Sequence, residues 1–162
     1  MSTSLYQAII PYYSESKEKL KPSDYNAIRE WLETGDIERF LTWLKQFFLR
    51  IPNEMKLFPI KDKLKFESDF QFVVFSILYL SCGASNVDLE DSTSHGRMDL
   101  VVRTPKYVYI FEFKLGENAK EAIAQIEQKD YSGKWEADTR QIIQIGVSFS
   151  PKTRTLTDYI IK

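Results

Sequence analysis

The residues best suited to chemistry lie in two short stretches: GRMD, ending at Asp99, and VYIFEFKLGEN, which carries Glu112 and Lys114. The second reads as a strand buried on both faces. A carboxylate or an ammonium inside such a strand is costly unless each finds a partner or a metal. Residues two apart in a strand share a face, so Glu112 and Lys114 project together while Phe111 and Phe113 point the other way. MDLVVRT and YVYIFEFK predict a hairpin through a Thr104-Pro105-Lys106 turn. Counted from Pro105, Asp99 lies six residues back and Glu112 seven forward. A bulge or a shifted turn absorbs that mismatch and brings the two carboxylates near one another.

Two close carboxylates repel, and a cation between them relieves the repulsion. Oxygen-rich sites of this kind suit Mg2+ or Mn2+, with waters filling the remaining positions. A neighbouring ammonium can position a water or stabilise charge on a phosphorane-like transition state. Asp99, Glu112 and Lys114 together therefore fit metal-dependent hydrolysis of a phosphodiester. The plainer alternative is a cross-strand ion pair on a half-solvated sheet, with Lys114 neutralising Glu112. A bare Glu-x-Lys recurs by chance and does not choose between the two.

The elements that must position these residues are legible from periodicity. Leu5, Ala8, Ile9, Tyr12 and Tyr13 repeat at helical spacing, with Pro22 separating them from the next segment. Ser23 or Asp24 is expected to cap a helix bearing Ala27, Ile28, Trp31 and Leu32 that stops at Gly35. Asp36 then caps a third helix with Ile37, Phe40, Leu41, Leu44, Phe47 and Phe48 on one side. A polar connector, KDKLKFESD, leads into FQFVVFSILYL, a helix apolar nearly all round and so expected inside a domain. From Asn86 the period changes to two, and three strands precede NAKEAIAQIEQKDY, a helix with Asn118 as N-cap and Glu121 in a capping-box position. RQIIQIGVSF and RTLTDYIIK read as two more strands. The predicted order is helices, then β-β-β-α-β-β.

Composition bounds the function. The 162 residues carry 22 Lys and Arg against 23 Asp and Glu, a formal charge of −1, so any contact with a polyanion has to come from a local basic patch. One cysteine and one histidine cannot build a disulfide framework or a Cys/His zinc site within one chain. No GxxxxGK[ST] or GxGxxG is present, which argues against a P-loop or a Rossmann nucleotide site. The first residues do not read as a signal peptide, and the longest apolar run, Phe70 to Ala84, is too short to span a bilayer. A cytoplasmic protein is the expectation.

GRMDL, VYIFEFKL, EAIAQIEQKDY and QIIQIGVSFS, taken in order, resemble the PD-(D/E)XK nuclease superfamily. With QAIIPYY and GDIERFLTWLKQFFLRIPNE ahead of them, the chain is similar over nearly its whole length to the C-terminal region of bacterial proteins that pair an AAA-ATPase-like domain with a PD-(D/E)XK nuclease-like domain. The resemblance implies an α/β fold with a restriction-endonuclease-like core, a mixed β-sheet flanked by helices, and an N-terminal helical extension. The corresponding division is a helical region over 1–55 and a nuclease-like domain over 56–162.

Carried over residue by residue, the resemblance makes Asp99 and Glu112 the ligands of Mg2+ (or Mn2+) and Lys114 the catalytic lysine. Glu67, at the start of the apolar helix, matches an acidic residue that helps complete such sites. Gln125 matches the polar residue on the helix after the catalytic strand, although an exposed helix glutamine is an equally ordinary reading. Met98 stands where the motif has proline, which leaves the ligand itself intact. The implied partner is nucleic acid, DNA ahead of RNA, with an AAA-ATPase-like module as a second partner. The rival reading is a non-catalytic nucleic-acid-binding or regulatory module that keeps the fold. His95 and Arg97 before Asp99, Glu90, Tyr131, and the Lys61, Lys63 and Lys65 stretch read more simply as surface or packing residues.

Overall fold

The computed structural model describes residues 20–50, 67–93, 96–116, 118–128, 135 and 137–162, with the side chains of 68, 69 and 90–98 excepted. The helix expected around Leu5–Tyr13, the connector with its lysines, the boundary between residues 55 and 56, His95 and Tyr131 lie outside the described residues, as do the side chains of Glu90 and Arg97.

Helix α1 spans Pro22–Thr34 and α2 spans Ile37–Arg50. The start of α1 differs from the expected Ser23 or Asp24 cap: Lys21 is the N-cap and Pro22 occupies the first turn. Proline's missing N–H costs nothing there, and the Asp24 carboxylate turns back to accept the Lys21 N–H at 2.7 Å. Gly35 closes α1 at φ 85, and Asp36 caps α2 as expected, its Oδ1 accepting the Arg39 N–H at 3.3 Å. Helix α3, Glu67–Cys82, is the apolar one, and a short 3-10 turn at Ala84–Asn86 delivers the chain to the sheet.

The sheet has five strands in the order β1-β2-β3-β4-β5, with β1 Val87–Thr93, β2 Gly96–Arg103, β3 Tyr107–Leu115, β4 Gln141–Ser150 and β5 Thr155–Ile161. Only β3 and β4 run parallel, and their crossover is helix α4, Ala119–Gln128. The expected mixed sheet flanked by helices is therefore the fold, with the element order read from the sequence.

Two cores lie on the two faces. Among the described residues, α1, α2 and α3 share a core with one face of the sheet, which contributes Leu100, Val102, Tyr109, Phe111, Phe113, Ile145, Val147 and Phe149. The other face is smaller: Val101, Val108 and Ile110 meet Ile123 and Ile126 of α4, with Trp135 beside them. Helices α1 and α2 are joined to this sheet by buried contacts. The Tyr109 hydroxyl donates to the Leu32 carbonyl at 2.6 Å, and Phe40 meets Phe111 edge-on with ring centroids 6.5 Å apart.

Candidate active site

The β2–β3 hairpin has a simpler register than a count from Pro105 suggests. Thr104 N–H donates to the Tyr107 carbonyl at 2.8 Å, so the turn is centred between Pro105 and Lys106. The pairs then run Arg103↔Val108, Val102↔Tyr109, Val101↔Ile110 and Leu100↔Phe111. One more step sets Asp99 opposite Glu112 without any bulge, which corrects the mismatch the sequence count implied.

Among the described residues that ladder closes at Leu100↔Phe111. Strand β2 continues beside β1 to Gly96↔Thr93, while β3 continues beside β4 to Leu115↔Phe149. The two strands thus fork at Asp99 and Glu112, and backbone groups in the fork take other partners. The Asp99 carboxylate accepts the Phe113 N–H through Oδ2 at 2.9 Å. The Asp99 carbonyl accepts the Gln71 side-chain amide, Nε2 to O, at 2.9 Å. Buried backbone groups seldom go unpaired, and here side chains do what the ladder does elsewhere.

Glu112 is fully buried. Alternation places it with Ile110 on the face that α4 covers, and the Gln125 amide of α4 donates to its Oε1. Gln125 is therefore half-buried above the sheet, not an exposed helix residue. Lys114 follows Glu112 on the same face and is half-buried, paired in the β3–β4 register with Ser148. Of the five residues picked from the sequence, Asp99, Glu112 and Gln125 are joined by direct hydrogen bonds or by register. Lys114 stands in the next row.

Glu67 is the first residue of α3 and is half-buried. It lies one helical turn before Gln71, and α3 packs on the opposite face of the sheet from α4. Among the described residues no three His, Cys, Asp or Glu side chains are grouped to hold a metal ion, so Glu67 adds no third ligand to the Asp99–Glu112 pair.

The donor set fits a hard divalent cation. It consists of two carboxylates on neighbouring strands, one of them wholly removed from water, with neither thiolate nor imidazole among them. Mg2+ is commonly bound through one or two carboxylates while keeping waters or substrate phosphate in its other positions.

Three supporting residues escaped the sequence reading. Gln71 appeared only as an interruption in an apolar helix. Gly146 is the β4 register partner of Glu112, and a Cβ there would come within 2.7 Å of the Ala119 carbonyl oxygen and 2.9 Å of the Ile123 nitrogen. The signal for it was present: a glycine inside a strand marks a close backbone approach. Asp158 of β5 accepts the Ala119 N–H at 3.3 Å, joining Asn118, which accepts the Glu121 N–H at 3.3 Å, in capping α4.

Comparison with known proteins adds the family. A model of the PD-(D/E)XK nuclease superfamily matches residues 65–159, which takes in all five site residues. A relative from Azotobacter chroococcum mcd 1, named "Uncharacterized protein in vnfD 5'region", is 32% identical over 133 residues, covering 81% of this chain and 25% of that protein. The chain thus spans about a quarter of the length of the curated relative it matches. No solved structure matches it. No helix among the described residues is long and apolar enough to cross a membrane.

Proposed function

The chain belongs to the PD-(D/E)XK nuclease superfamily, and from that premise we propose that it is a Mg2+- or Mn2+-dependent nuclease domain hydrolysing phosphodiester bonds of nucleic acid, DNA ahead of RNA. The observation that carries this reading is the placement of Asp99 and Glu112 face to face where β2 and β3 fork, with the Gln125 amide on the buried Glu112.

Asp99 and Glu112 are the residues that would hold the ion. When bound, the ion neutralises phosphate charge and makes a coordinated water more acidic. Gln125 fixes the Glu112 carboxylate by donating to one of its oxygens, leaving the carboxylate its negative charge. The Phe113 N–H does the same for Asp99. Lys114 presents its Nζ on the Glu112 face, where it orients the attacking water and stabilises the charge that builds on the phosphoryl oxygens as the P–O bond breaks. Glu67 supports the site from the α3 side.

The test is cleavage of labelled single- and double-stranded DNA and RNA with Mg2+ or Mn2+. Asp99→Asn keeps an oxygen for the Phe113 N–H, and Glu112→Gln keeps a polar partner for Gln125, so both variants fold. Each loses metal-dependent cleavage by a hundredfold or more. Cleavage persisting in both variants rules the assignment out.

The AAA-ATPase-like module is a proposed partner. The matched relative is about four times as long as the segment it shares with this chain, which leaves room for further domains. In the rival reading, a regulatory module without catalysis, wild-type protein would bind neither Mg2+ nor Mn2+ at millimolar concentration.

A further inference from the structure

We infer that Gln71 is a positioning residue for the proposed metal site, holding the Asp99 backbone at the mouth of the β2–β3 fork. This rests on the reading of Asp99 and Glu112 as the ligand pair. Gln71 is one of few polar side chains in α3 that is nearly removed from water, 9% exposed, in a helix whose neighbouring buried residues are Phe70, Val73 and Val74. Burying an amide there is unfavourable unless it is used. The other buried polar residues of α3, Ser76 and Ser81, return their hydroxyls to carbonyls of their own helix, Phe72 and Ile77. Gln71 alone of these three reaches out of α3, to the carbonyl of Asp99 at 2.9 Å.

That carbonyl belongs to the residue at which the strands part. The ladder no longer clamps β2 to β3 there, so the direction of the Asp99 side chain depends on what holds its backbone. Two bonds do so from two sides: Gln71 on the carbonyl, and the Phe113 N–H on the carboxylate. The second bond keeps Asp99 beside Glu112, and the first keeps the peptide from rotating out of the fork. Partners of this kind around metal ligands typically alter metal affinity ten- to a hundredfold when removed.

Two measurements on Gln71→Met, which keeps the unbranched shape and apolar volume, test this. In the metal-free protein, hydrogen exchange at the Phe113 amide should accelerate at least tenfold, while the Ile110 and Ile145 amides keep wild-type protection. By calorimetry, Mn2+ affinity should fall at least tenfold in Gln71→Met. In the Asp99→Asn background the same change should leave whatever Mn2+ affinity remains unaltered, because the ligand to be positioned is gone.

If Gln71→Met folds poorly, Gln71→Glu, isosteric but without a donor when ionised, replaces it with the same expectations. Uniform acceleration of all sheet amides overturns the inference, since that is a packing effect. Unchanged Phe113 exchange overturns it as well, as does an equal loss of Mn2+ affinity with and without Asp99. Wild-type protein that binds no Mn2+ sinks the metal reading itself, which separates the two failures.

Discussion

Gly146→Ala should damage the site through the spacing of α4 above the sheet. A Cβ at this position would lie 2.7 Å from the Ala119 carbonyl oxygen, 2.8 Å from the Ile123 Cγ1 and 2.9 Å from the Ile123 nitrogen. Two of these atoms are backbone and cannot swing aside as a side chain can. Ordinary contact lies at about 3.5 Å, so α4 has to rise by roughly 0.7 Å. Overpacking of this kind costs about 1–3 kcal/mol, or a fall in Tm of about 3–10 °C for a chain of this size. Gly146 is also the register partner of Glu112, and Gln125 rides on the lifted helix. The Gln125–Glu112 hydrogen bond is then stretched by a similar distance and lost. Thermal denaturation and Mn2+ calorimetry should therefore both register the change, with metal affinity down roughly tenfold or more. Gly116→Ala is the control. Its φ of 74 makes alanine strained, yet nothing lies within 4 Å of the added carbon. It should lower Tm and leave metal affinity alone. A Gly146→Ala protein as stable as wild type, or one with lowered Tm and intact metal affinity, refutes the linkage of α4 height to the site.

Two further outcomes concern the frame around the site. Tyr109→Phe removes the donor to the Leu32 carbonyl and should cost about 1–3 kcal/mol in chemical denaturation, because a buried acceptor is left without it. The hydroxyl itself is held well above the usual tyrosine range, chiefly by burial, so the tyrosine whose titration is missing from an alkaline ultraviolet scan should be this one. Asp138 accepts from the Arg140 side chain at 2.9 Å and from its backbone N–H at 2.9 Å, and these bonds lower its pKa from 3.8 to about 2. A depressed folded pKa means that the stabilisation is complete above the unfolded value and disappears as pH falls through the folded one. The Tm difference between wild type and Asp138→Asn should accordingly be constant above about pH 5 and shrink towards pH 2. A gap that does not change over that range removes the pair from the account.

Much of the site was legible because strand geometry is periodic. Alternation alone put Glu112 and Lys114 on one face, and the Pro105 turn brought Asp99 within a residue of its true register. The helix carrying Gln125 was legible from its cap at Asn118, and its inward face from the spacing of Ala122, Ile123 and Ile126. What periodicity does not encode is where a ladder stops. Nothing in MDLVVRT distinguishes a strand paired along its whole length from one that leaves its partner at Leu100. Gln71 was invisible for the same reason: a polar residue in an apolar helix has meaning only once the carbonyl it meets is known to lack a strand partner.

The fork also explains why the site needs both faces of the sheet. A fully paired sheet would satisfy the backbone of Asp99 and Phe113 by itself and leave only side chains available to a ligand. Opening the ladder at this point frees one N–H and one carbonyl, and each must be met from elsewhere. The Asp99 carboxylate meets the first and α3 supplies Gln71 for the second, while α4, seated low on Gly146, brings Gln125 to Glu112 from the opposite face. Helices that the sequence presents as separate packing elements therefore converge on two adjacent carboxylates. Loosening either helix should weaken the site without touching a ligand. The Gly146→Ala and Gln71→Met variants probe the two sides independently: their effects on metal affinity should add if the two helices act on different ligands, and fail to add if both act through one.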